Sequence, residues 1–170
     1  MPDGQLTTIS TNTRTGQPAP VELVKLRDEP RTNTVAFAND EYMVYPIAAG
    51  ETIVWRCVLF VGGNSPGDGK VQFATPAAPA SGGLVYWAFV VGAVAAWTQV
   101  GGVAASYNAP LALLYAQGGA GFEYPNVFEG RLVNGVNPGQ FCVQTAQNAA
   151  NATPTVFFTG SSLTVWRYNP

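Results

Sequence analysis

Beyond residue 35 the chain alternates short apolar runs with clusters of Gly, Pro, Asn and Ser, and no stretch sustains the spacing of an amphipathic helix. This pattern predicts nine short strands, over residues 34–38, 42–46, 52–61, 70–74, 84–91, 111–115, 127–133, 140–145 and 162–168. Strands of that length and number fit an all-β fold, an antiparallel jelly-roll β-sandwich of about eight strands. Residues 64–69 and 75–83 read as turn-forming links, and residues 92–109 as a long connection of small residues carrying Trp97 and Tyr107.

The first 33 residues differ in character, being rich in Thr, Pro and charge. Only residues 21–26 look ordered, and Val21, Leu23, Val24 and Leu26 fit either a short strand or one helical turn. The expected organisation is an extended N-terminal arm, residues 1–33, laid along a neighbour, followed by the sandwich domain, residues 34–170.

Side chains alternate between the two faces of a strand, so residues 52–61 can be read face by face. Ile53, Trp55, Cys57, Leu59 and Val61 share one face, and Val54, Arg56, Val58 and Phe60 the other. Both are largely apolar, as are both faces of residues 84–91. A sandwich strand covered on one side only by its own core needs cover on the other, and a second subunit supplies it. Val58, Phe60, Trp87 and Phe89 are the expected subunit-interface residues.

Charge strengthens this picture. Of 170 residues 47% are hydrophobic and only 11% charged, with a net charge of -2, against roughly 25% charged in ordinary soluble domains. Residues 71–122 and 132–166 contain no Asp, Glu, Lys, Arg or His at all. A surface so poor in charge implies cover by partners. It also excludes nucleic-acid binding, which depends on clustered Lys and Arg. The longest apolar run, residues 84–97, is too short for a bilayer-spanning helix and contains Gly92, so no membrane insertion is expected. Residues 1–10 lack the basic and apolar run of a secretory leader. Cys57 and Cys142 are a potential pair, but in the cytoplasmic setting this implies they are expected as free, buried thiols.

Candidate chemistry is sparse. Histidine is absent, which removes the commonest general base and the usual partner of a Ser or Cys nucleophile. Glu123 and Glu129 are the one carboxylate pair worth weighing for glycoside hydrolysis, but Glu129 lies two residues from Arg131, and an ion pair between them would hold it ionised. Asp40, Glu41 and Asp68 lack the spacing of a calcium loop and read as turn and surface carboxylates. Of Trp55, Trp87, Trp97 and Trp166, three fall in expected strands, where such rings serve as core or interface anchors. Trp97, with Tyr107 nearby, is the expected glycan contact if the protein has one. The triplet Asn151, Ala152, Thr153 is assigned no role. No catalytic, cofactor-binding or metal-binding residue is expected, and no enzyme activity.

Two blocks carry a family resemblance. YPIAAGETIVWRCVLFVGGNSPGDGKVQFATPAAP, residues 45–79, has a short strand, a Gly-Glu-Thr turn, an aromatic-aliphatic strand ending Val-Leu-Phe, a loop with Asp, then Phe-x-x-Pro-Ala-Ala. VFEGRLVNGVNPGQFCVQTAQNAANATPTVFFTGSSLTVWRY, residues 127–168, has Glu-Gly opening a strand, Ala-Gln-Asn after the next and Gly-Ser-x-Leu before the last. Both resemble bacteriophage structural proteins of the capsid-decoration and head-fibre type, while residues 80–126 depart from that pattern. The resemblance implies a jelly-roll or tumour-necrosis-factor-like fold, commonly trimeric, with no catalytic residue to carry over. It implies a non-enzymatic capsid decoration protein, assembled in the host cytoplasm and located in the virion, with copies of itself and other capsid proteins as partners. The alternatives are a small jelly-roll major capsid protein, or a receptor- or glycan-binding module of a head or tail fibre.

Overall fold

The computed structural model describes residues 19–63, 65–77, 81–87, 107–114, 116 and 122–168. Among these residues all regular structure is strand: β1 (Val21–Val24), β2 (Glu29–Arg31), β3 (Ala38–Ile47), β4 (Thr52–Gly62), β5 (Gly69–Ala74), β6 (Ser81–Trp87), β7 (Ala112–Leu114), β8 (Glu123–Val133), β9 (Gly139–Gln147), β10 (Thr155–Phe157) and β11 (Ser162–Tyr168). They form an antiparallel two-sheet sandwich, as the alternation of apolar runs and turns predicts.

The larger sheet has seven strands. Its spine is β4, which pairs along its whole length with β8, and β8 pairs in turn with β6. Along the other side of β4 lie β11 and β10, end to end, and outside them β1 and β2. The smaller sheet has four strands in the order β3-β9-β5-β7. From β3 to β10 every connection crosses from one sheet to the other. Pro30 and Pro46 both sit on edge strands, β2 and β3, where a missing N–H breaks no ladder.

The alternation read in residues 52–61 holds side chain by side chain. Ile53, Trp55, Cys57, Leu59 and Val61 are fully buried between the sheets. Trp55 is central, its ring 4.3 Å from Phe73 and 5.2 Å from Phe141 on the smaller sheet. Gly130 on β8 makes room for it: a Cβ there would lie 2.6 Å from Trp55 Cζ2, closer than packed atoms tolerate.

The N-terminal boundary differs from expectation. Residues 1–18 lie outside the described residues, but residues 21–31 are part of the sandwich rather than an arm, since β1 pairs with β11 and β2 with β10. Leu23 is buried in the core. The sequence masked this because β2 is only Glu-Pro-Arg, with no apolar pattern. The strand expected over residues 34–38 starts only at Ala38, where β3 begins.

Candidate functional site

The outer face of the larger sheet is the first candidate surface. Register places four rows across it: Tyr168, Thr52, Val133 and Ser81; Trp166, Val54, Arg131 and Gly83; Glu22, Thr164, Arg56, Glu129 and Val85; Val24, Ser162, Val58, Val127 and Trp87. Phe60 and Pro125 extend it by one further pair. Apolar residues dominate, and Val85 and Trp166 are exposed. Gly83 leaves the face uneven, with hollows of about 310 and about 350 Å3 that share Val54 and Glu129.

Of the expected interface residues, Val58 and Phe60 stand half-buried on this face. Trp87 occupies the register position opposite Val127. Phe89 and Trp97 lie outside the described residues. Trp166 and Tyr168 are exposed aromatics of this face that the interface reading passed over, although the alternation of Trp166 with the core residue Val165 in the last strand was the available signal.

Charge on the face is paired across strands, not along them. Glu129 meets Arg56 on β4, Oε1 to Nε 3.3 Å, in place of the expected partner Arg131 two residues on. Directly opposed residues of neighbouring strands stand closer than residues two apart on one strand. Glu123 and Glu129 share β8 at six residues' separation, roughly 20 Å along a strand. Glycosidase carboxylates stand about 5 to 10 Å apart across a cleft, so this pair is not assembled for that chemistry.

Tyr107 is drawn into the core. Its hydroxyl accepts a hydrogen bond from Trp55 Nε1 at 3.1 Å and donates to the Arg131 carbonyl at 2.8 Å. Its ring meets Phe141 edge-on at 6.2 Å, and burial pushes its hydroxyl up to about 12. The residue expected to contact glycan is therefore a structural post joining β4, β8 and the smaller sheet. Nothing in residues 92–109 except the aromatic itself pointed to this.

A buried ionic cluster ties the N-terminal strands down. The fully buried Lys25 ammonium lies 2.5 Å from Asp40 Oδ2 and 2.5 Å from Glu29 Oε2, and Glu29 also meets Arg31 at 2.5 Å. Asp40, read from sequence as a surface or turn carboxylate, is fully buried. Its other oxygen accepts from the backbone N–H groups of Tyr42 and Met43, where β3 slips register against β9. The Lys25 backbone bonds to Ser161 and Gly160, where β10 gives way to β11. Burial raises the Glu29 carboxyl above its ordinary value. Three strand interruptions thus converge on one neutral set of two cations and two carboxylates.

Both thiols are free and buried, as the sequence predicts. Burial raises Cys57 well above its ordinary value, with the Asp40 charge adding to the shift, and raises Cys142 to about 11. Both stay protonated at neutral pH and are poor nucleophiles.

At one end of the sandwich the turn after β3, the turn before β9 and the end of β11 border an open depression of about 600 Å3. Arg167, Tyr45 and Glu51 interact there: Arg167 Nε forms an ion pair with Glu51 Oε1 at 3.2 Å and donates to the Tyr45 hydroxyl, which itself donates to Glu51 at 3.0 Å. Sequence reading gave these three residues no role. No group of His, Cys, Asp and Glu suited to a metal ion occurs among the described residues.

No family model matches this chain. A search of the curated proteins likewise finds no match.

Proposed function

We propose that this chain is a non-enzymatic structural protein of a virus particle, a decoration protein that associates with copies of itself and with a capsid lattice. The observation that carries self-association is the outer face of the larger sheet, where Val54, Val58, Val85, Val127 and Trp166 surround a single cross-strand ion pair. Such a face on a chain with only 11% charged residues is better buried than wet.

The occupant is a second copy of the chain. On β8 the Arg56 ion pair neutralises Glu129, leaving Arg131 near one end of the strand and the exposed Glu123 at the other. Opposite charges at the two ends of one face let Arg131 of one copy meet Glu123 of another; repeated head to tail, that meeting closes into a ring when the rotation allows, and a trimer is the smallest such ring beyond a dimer. The connections that cross between the sheets from β3 to β10 support the finer reading of the sandwich as a jelly roll. The attribution to a phage particle rests on the strand-and-turn pattern of residues 45–79 and 127–168.

The test is the mass of the full-length protein in solution by light scattering across a range of concentrations. A concentration-independent trimer is the expected result, and Phe60→Asp is expected to yield a folded monomer, because an unpaired charge in a dry contact costs several kcal/mol. A monomer at every concentration would remove self-association from the proposal.

A further inference from the structure

The depression beside Arg167 has the composition of a receptor. The guanidinium is fixed from one side only: Nε donates to the Tyr45 hydroxyl and pairs with Glu51 at 3.2 Å, and the guanidinium carbon lies 5.3 Å from the centre of the Tyr45 ring. Glu51 is fixed in turn, its second oxygen accepting from the Ala48 N–H at 2.7 Å, and its side chain is only 9% exposed. The Arg167 side chain is 45% exposed, and no described residue accepts a hydrogen bond from its terminal amino groups. Tyr168, 52% exposed, lines the same depression.

We propose that this depression binds an acidic sugar residue, its carboxylate taken by the free edge of Arg167 and its ring lying against Tyr168. A planar fork with two free amino groups matches a carboxylate in bidentate geometry, which an ammonium does not. Glu51 cancels the net charge locally, so a bare anion gains little from long-range attraction. Selectivity then depends on a ligand that offers an apolar ring face together with its carboxylate. An open hollow of about 600 Å3 has room for one or two sugar rings. The site lies at the end of the sandwich, where Tyr168 closes the last row of the outer face opposite Thr52, and the carboxylate contact through Arg167 does not depend on self-association.

The test is a titration of the full-length protein, followed by amide chemical shifts, with the methyl glycosides of N-acetylneuraminic acid and glucuronic acid. Methyl galactoside, inorganic phosphate and an acetylated glutamate-rich peptide are the comparison probes. At least one acidic sugar is expected to bind with a dissociation constant of roughly 1 mM, shifting residues 48–51, 138–139 and 167–168, while the comparison probes bind at least about tenfold more weakly. Arg167→Lys is expected to weaken binding about tenfold or more, and Tyr168→Ala roughly three- to tenfold. Tyr168 is exposed, so its variant keeps the test decisive if Arg167→Lys folds poorly. Failure of both acidic sugars to bind would overturn the proposal. Equal binding of any comparison probe would overturn it too, as would undiminished affinity in Tyr168→Ala.

Discussion

Lys25 shows how much one residue can decide. A fully buried ammonium is tolerated only because Asp40 and Glu29 both lie at 2.5 Å, and removing it strands a carboxylate in the interior. Lys25→Met is therefore expected to cost about 3–5 kcal/mol, read as a lowered midpoint in urea unfolding. The Arg27–Glu41 pair is the built-in comparison: its side chains are 68% and 36% exposed, and Arg27→Met is expected to leave the urea midpoint essentially where it is in the parent protein. Tyr107 makes a residue-scale prediction in pH. Its folded hydroxyl titrates near 12 rather than at its ordinary value, with burial as the main cause. The folded state holds that proton more tightly than the unfolded chain, so the stabilisation is complete below about pH 10. It is lost as pH rises towards 12. Alkaline unfolding curves should show this loss, and Tyr107→Phe should remove that part of the pH dependence.

At the scale of elements, legibility followed pattern length. Residues 52–61 were readable because ten alternating positions leave one choice of inward face, and the structure keeps it. β2 and β10 were not, since Glu-Pro-Arg and Thr-Val-Phe are too short to show a period, and both exist only because β4 is long enough to pair with a second segment beyond β11. The arm reading failed for the same reason: Asp40 completes the anchor of Lys25 from fifteen residues away, and local sequence does not encode that meeting. Of the candidate site, the apolar outer face was legible from alternation alone, whereas the Arg56–Glu129 pairing required register. Deleting residues 1–33 would remove β1 and β2 and expose the outer edges of β10 and β11. Unpaired edges template aggregation, so the truncated protein is expected to be largely insoluble or to unfold at markedly lower temperature. A truncated protein as soluble and heat-stable as the full chain would restore the view of this segment as a dispensable arm.

At the scale of the whole molecule, the sparse charges become informative because so few stand on the packing face. Glu129 is already matched by Arg56 and Glu22 lies out on the edge strand β1, while Arg131 and Glu123 stand at opposite ends of β8 as the pair to join successive subunits. If the contact runs head to tail, Arg131 of one copy meets Glu123 of the next, and each ring repeats that meeting once per interface. Reversing one charge places like charges together at every interface, while reversing both restores attraction in the opposite sense. Arg131→Glu and Glu123→Arg are each expected to weaken assembly roughly tenfold, more strongly at low salt, and the double variant to recover most of it. Sedimentation equilibrium at two salt concentrations measures the four proteins directly. Two deficits that simply add in the double variant would place these residues at separate contacts and force a different arrangement of subunits on the same apolar face.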